Sequence, residues 1–163
     1  MFSNIGRSTF VLLAALVVAA PAAQAQSATQ TVTYAVNAIN QIAFIGTPSL
    51  TITTATAGSA PTSATDASAT WAVTTNQTGA KISASIATAM PTGLTLNSSL
   101  VAPTGGTSAG LQALSTTSVD LVTGITKLAQ GSLGVSYKLD ATAAAGVVTS
   151  ATRVVTYTIT GGT

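Results

Sequence analysis

The sequence predicts an all-β protein, an antiparallel two-sheet sandwich of about 7–9 strands preceded by a leader. Three observations carry the prediction. Apolar residues recur at every second position through most of the chain, the period at which strand side chains alternate between faces. Gly and Pro clusters interrupt these runs at intervals suited to a sandwich. Charged residues make up only 5% of the 163 positions, whereas Thr and Ala contribute 31 each. Thr is β-branched and suits a pleated, half-wet surface.

The N-terminus has the pattern of a secretory signal peptide. Met1–Arg7 carries one positive charge, Phe10–Ala20 is an apolar run of 11 residues, and Ala23-Gln24-Ala25 is a small-x-small cleavage site. A membrane-spanning helix needs about 17–25 apolar residues, and Pro21 ends this run too soon. The expected organisation is a signal peptide at residues 1–25 and one sandwich domain at residues 26–163. Removing 25 of the 163 residues leaves 138, of which Leu, Ile, Val and Phe contribute 30. Net charge is near zero, so the composition supports a packed core rather than disorder.

The elements follow in order. Thr31–Val36 sets Val32, Tyr34 and Val36 on one face and reads as the first strand. Asn37–Gln41 reads as a link, Ile42 and Phe44 as a second strand, and Leu50 with Ile52 as a third. Ala55–Ser68 has no apolar anchor and reads as a long loop. Ala69–Thr75 points Trp71 and Val73 inward, and Asn76–Gly79 turns the chain. Lys81–Ile86 points Ile82, Ala84 and Ile86 inward, and Met90–Gly93 is another turn. Leu94, Leu96 and Leu100 share a face, and Pro103–Gly110 is a Gly-rich loop.

Val119–Gln130 is ambiguous. A strand at Val119–Thr123 fits, but Val122, Ile125 and Ala129 have near-helical spacing, so a short helical turn stays open. Leu133, Val135, Tyr137, Leu139 and Ala141 then lie on one face. Ala143–Gly146 turns the chain, and Val155, Tyr157 and Ile159 form the inner face of the last strand. A short echo joins the two ends: Thr31–Tyr34 reads TVTY and Val155–Tyr157 reads VTY.

The chain contains no His, Cys or Glu, which removes most catalytic chemistry and the common transition-metal sites. Gly106–Gly110 matches G-x-S-x-G around Ser108, but the motif needs a His base and a following helix. Lys81, Lys127 and Lys138 fall on outward or turn positions, unsuited to activating a serine. Asp66, Asp120 and Asp140 are isolated; only a loop calcium site near Asp66 stays open. Arg153 and the lysines are scattered, so nucleic acid has no basic footprint. No catalytic residue, cofactor or metal is expected. Trp71 reads first as core and second as a ligand platform.

Leu133–Thr160 resembles the closing hairpin of secreted bacterial immunoglobulin-like β-sandwich modules of the fimbrial and surface-protein type. The leader followed at once by the alternating strand at Thr29–Val36 is similar to a pilin subunit. In such pilins a sandwich lacking one strand is completed by the N-terminal extension of the next subunit. The resemblance implies a secreted, non-enzymatic structural protein at the cell surface, in the periplasm or outside the cell. It implies self-association by β-strand addition, with adhesion as an expected role. Val32, Tyr34 and Val36 are then the donor or edge strand, and Val155, Tyr157 and Ile159 the acceptor or closing strand. The expected partners are copies of the same chain, together with an assembly chaperone or another surface protein. No nucleic acid and no membrane span after leader removal are expected. The alternative expectation is an extracellular or periplasmic binding module for carbohydrate or a partner protein. It would use Trp71 or the loops Ala55–Ser68 and Pro103–Gly110.

Overall fold

The computed structural model describes residues 24–163, so the expected signal peptide lies outside the described residues except for its last two positions. The chain divides into two units, Met1–Ala35 and Val36–Thr163. In the first, residues 24–35 are exposed and carry no regular secondary structure. The second is all-β, with a single 3-10 turn at Ala143–Ala145. Among the described residues no helix is long and apolar enough to cross a membrane.

Nine strands form two antiparallel sheets among the described residues. They are β1 (Asn40–Ile45), β2 (Ala64–Thr75), β3 (Ala80–Ile86), β4 (Leu94–Leu100), β5 (Thr107–Ser108), β6 (Gln112–Ala113), β7 (Val119–Ile125), β8 (Leu128–Ala141) and β9 (Val155–Thr160). One sheet has the order β1-β2-β8-β4-β6 and the other β5-β7-β3-β9. From β3 onward each strand lies in the opposite sheet from the one before it. The turns at Asn76–Gly79 and Met90–Gly93 therefore carry the chain between layers instead of closing hairpins. The same holds for β8 and β9. They do not pair, and the expected closing hairpin is instead two strands facing each other from opposite sheets.

The inward faces are those the alternation anticipates. Trp71 and Val73 from β2, Ile82, Ala84 and Ile86 from β3, Leu96 and Leu100 from β4, and Val135 and Tyr137 from β8 are buried together. Leu121, Val122 and Ile125 of β7 complete the core. Fully burying an aliphatic side chain contributes roughly 1.5–3 kcal/mol, so these residues dominate the stability of a domain with few charges.

Three expectations need correction, and at Val119–Gln130 the strand reading holds. Thr31–Val36 is not a strand; alternation prepares a face, but a strand also needs a ladder partner. Leu50 and Ile52 are half-buried without forming a strand, Leu50 resting against the core. Ala64–Ser68, expected as loop, is the first half of β2. Its backbone is claimed by the long β8, with Ala64 opposite Leu139 and Asp66 opposite Tyr137. A bulge between Asp66 and Ala69 interrupts the ladder there. The near-helical spacing at Val119–Gln130 comes from a bulge and a turn. The β3–β7 register shifts twice, and Gly124 has left-handed backbone at φ 74°. An extra residue moves the inward phase by one, which turns a period of two into the spacing of three between Val122 and Ile125, whereas Ala129 faces outward beyond the turn into β8.

One turn has a strict local requirement. Gly93 sits at φ 82°, and a Cβ there would lie 2.6 Å from the Ala145 backbone nitrogen. Gly93 also accepts a hydrogen bond from the Thr142 amide, which fixes the turn before β4 against the one after β8.

Ile82→Ala is expected to destabilise the domain by about 2–5 kcal/mol, because the side chain is wholly buried and leaves a cavity. Gly93→Ala should also destabilise it, whereas Gly58→Ala, which faces open space at a similar φ, should cost less. Urea unfolding followed by Trp71 emission measures all three.

Candidate functional site

The ionisable residues are distributed as separate surface contacts. Lys81 and Asp120 form an ion pair at 2.9 Å, and Lys138 and Asp140 another at 2.8 Å. All four side chains are at least one-third exposed, a setting in which such pairs are worth about 0–1 kcal/mol. Asp140 also accepts hydrogen bonds from the Ser63 hydroxyl and the Asn97 amide, which ties the start of β2 to β8 and β4. The Lys138 and Ser63 contacts hold its carboxyl below the usual carboxylate range. Asp66 is lowered by the Ser68 hydroxyl and by the Ser49 and Ser68 amides, so its carboxylate is engaged at the β2 bulge. Among the described residues no three metal-ligating side chains cluster.

Ser108 of the G-x-S-x-G stretch ends β5, part of the expected Pro103–Gly110 loop; it donates to the Leu100 carbonyl at 2.7 Å and accepts from the Gly110 amide, a structural role. Trp71 is 1% exposed, and its indole N–H donates to the Val101 carbonyl at 3.2 Å. A ring so enclosed offers no face to a sugar, so Trp71 belongs to the core and not to a ligand platform.

What the fold does bring together lies along one side of the sandwich. β1 borders the five-stranded sheet and β9 borders the four-stranded sheet, each with a ladder neighbour on one side only. The two run antiparallel along this seam. Phe44 stacks on Tyr157 with ring centroids 3.9 Å apart, and Asn40 lies beside Gly161. Phe44 also stacks on Trp71 at 6.1 Å. Ile42, Phe44, Val155, Tyr157 and Ile159 pack against the core yet remain only half-buried. The result is an apolar stripe partly open to water between two unpaired strand edges.

Hydroxyl groups close the inner side of the seam. The Tyr157 hydroxyl lies 2.7 Å from the Tyr137 hydroxyl and 3.2 Å from Ser98 Oγ. Tyr137 and Ser98 belong to one sheet and Tyr157 to the other, so this cluster spans the layers. Burial, joined by the Tyr157 contact, pushes the Tyr137 phenol far above its ordinary value, and burial raises Tyr157 as well.

The lower end of the seam is held by amides. Asn40 donates to Gln77 and accepts from Thr75, each at 2.7 Å, and Asn76 accepts from the Ile39 amide while donating to the Asn37 carbonyl. Thr78 and Thr163 exchange two backbone hydrogen bonds, extending the β3–β9 ladder to the last residue. A Cβ on Gly162 would fall 1.5 Å from the Thr78 carbonyl oxygen, so only glycine permits this approach.

The expected donor residues sit apart from any ladder. Val32, Tyr34 and Val36 are 73%, 88% and 79% exposed. The expected closing residues Val155, Tyr157 and Ile159 occupy the inner face of the edge strand β9. Sequence reasoning missed Ser98 and the hydroxyl cluster. A Ser placed between Leu96 and Leu100 in a period-2 row is an inward hydroxyl that needs a partner, and that signal was available. No protein-family model matches the chain, and no match is found among curated proteins or solved structures.

The tyrosine pair predicts alkaline sensitivity. The fold keeps both phenols protonated, while the unfolded chain ionises near pH 10. This contribution is therefore fully present below about pH 10 and drains away as pH rises toward the raised values. Melting temperature recorded from pH 8 to 11 should fall beyond pH 10, and Tyr157→Phe should flatten that fall. The variant should also lose about 1–3 kcal/mol at neutral pH, since Tyr137 and Ser98 keep buried hydroxyls without their shared partner.

Proposed function

We propose that this chain is a secreted, non-enzymatic structural subunit, an immunoglobulin-like sandwich of the pilin or surface-layer kind that self-associates by β-strand addition. The observation that carries the reading is a pair of complementary features in one molecule. An alternating segment, Thr31–Val36, presents Val32, Tyr34 and Val36 to water. A seam bordered by β1 and β9 leaves an apolar stripe half-covered. Strand addition joins such features. Backbone hydrogen bonds supply affinity, and alternate side chains set register.

The surface chemistry supports the same reading. Natural sheets blunt their edges with charge, Pro or bulges. Neither β1 nor β9 contains a charged residue or a proline, and β9 pairs with β3 in unbroken register. In a solitary protein such edges are a hazard; in a polymer they are the means of joining. The apolar run Phe10–Ala20 and the small-x-small site at Ala23–Ala25 support export, with copies of the same chain as the main partner. Adhesion would follow from display of such a polymer.

Replacing Val32, Tyr34 and Val36 together by Ser should leave the domain folded, because these side chains are exposed. Removing Gln26–Val36 from the secreted protein should do the same. Sedimentation velocity of concentrated protein should show polymer for the natural chain and monomer for both variants. Equal sedimentation of all three would eliminate Thr31–Val36 as the donor.

A further inference from the structure

The three tyrosines of the chain all occupy one pattern, Val-Ser/Thr-Tyr-x-aliphatic. It reads Val32-Thr33-Tyr34-Ala35-Val36, Val135-Ser136-Tyr137-Lys138-Leu139 and Val155-Thr156-Tyr157-Thr158-Ile159. The second copy lies in β8 with Val135 and Tyr137 in the core, and the third lies in β9 with Val155, Tyr157 and Ile159 packed against it. These two copies face each other between the sheets, hydroxyl to hydroxyl at 2.7 Å. The first copy is the exposed N-terminal segment. A pattern that builds the interior twice is thus displayed a third time in water.

Only one of the two interior positions can accept it. β8 is 14 residues long and laddered on both sides, to β2 and to β4, so removing it would dismantle its sheet. β9 is 6 residues long and laddered to β3 alone. The stretch before it, residues 146–154, contains no strand, and beyond the ladder its hold includes the Ala87–Val154 and Thr78–Thr163 hydrogen bonds. The N-terminal copy also fits the space. Val32 and Tyr34 repeat Val155 and Tyr157, Val36 stands for the larger Ile159, and Ala35 for Thr158, so no position asks for more volume. The segment contains neither Pro nor Gly, so every amide is available to the ladder.

We propose that Val32–Val36 of one copy takes the place of β9 on β3 of a second copy. The inference rests on the donor reading of that segment, but makes β3 the receiving strand instead of the free edge of β9. Tyr34 enters the position of Tyr157, stacked on Phe44 with its hydroxyl toward Tyr137 and Ser98. Running antiparallel to β3, the segment sets Thr33 opposite Ser85 and Ala35 opposite Ser83, as Thr156 and Thr158 are now. The incoming strand restores nearly the same ladder and the same aromatic stack that β9 gives up. Protein concentration therefore sets the balance by mass action.

The chain has no cysteine, which makes disulfide trapping unambiguous. Thr158 lies directly opposite Ser83, a separation that a disulfide can span. In the full-length chain, Ser83→Cys with Thr158→Cys should lock β9 in place when oxidised. The locked protein should be monomeric in sedimentation velocity and should assemble again after reduction. Blue-shifted Trp71 emission in both states checks that it is folded. The complementary pair, Ala35→Cys with Ser83→Cys, should give disulfide-linked dimers and longer species on a non-reducing gel. If the locked protein assembles as well as its reduced form, the segment adds beside β9. Replacement is then wrong while strand addition stands. If the natural chain never assembles, or assembles equally with Val32, Tyr34 and Val36 changed to Ser, the donor reading fails and this inference with it.

Discussion

Two sheets with hardly any charge are held together by what meets between them, and on the seam side that meeting is concentrated on Tyr157. Its ring stacks on Phe44 of the opposite border strand, and its hydroxyl reaches Tyr137 and Ser98 of the opposite sheet. An aromatic pair adds about 0.5–1.5 kcal/mol beyond its area. A buried hydroxyl is tolerated only while partnered. One side chain therefore satisfies an apolar and a polar requirement at once. The strand that carries it is nonetheless an edge strand with a single neighbour. The fold places an important inter-sheet contact on one of its least enclosed elements.

The rest of the surface is consistent with that arrangement. Outward positions on β9 are Thr156, Thr158 and Thr160, and those on β3 opposite them are Ser85, Ser83 and Lys81. Hydroxyl rows of this kind hydrogen-bond readily and repel nothing. The isolated carboxylates are each occupied by nearby donors and do not converge. Among the described residues the carboxylates stay apart from one another, whereas side chains able to register one strand against another are brought together.

Much of the fold was legible in the sequence because alternation reports the inner face directly. It identified Trp71 and Val73, Ile82 to Ile86, Val135 and Tyr137, and the β9 triplet as inward. It failed where ladder partners decide. Thr31–Val36 alternates as well as β9 but has no neighbour, so it is not a strand. Ala64–Ser68 alternates poorly but lies beside the long β8, so it is one. A bulge at Gly124 and the short turn into β8 disguised two strands as a helical spacing. The crossing of the chain between sheets leaves no mark in residue periodicity, since a turn within a sheet and a turn between sheets use the same residues. The seam was half legible: its closing strand was identified, but the Ser98 partner and the Phe44 stack required the topology.

β9 lies far downstream of β3 in the sequence, which gives the covering of that strand's edge an order in time. β3 is complete by Ile86, yet the strand that covers its edge begins only at Val155. A chain emerging N-terminus first therefore presents an unoccupied ladder for as long as the intervening residues take to appear. Pairings of such long sequence separation are intrinsically slow to form. The exposed copy of the motif, by contrast, precedes β3 and is made before it. Under the proposed strand replacement, β3 is open to an incoming segment until β9 has formed, so completion of that strand would act as a clock on joining.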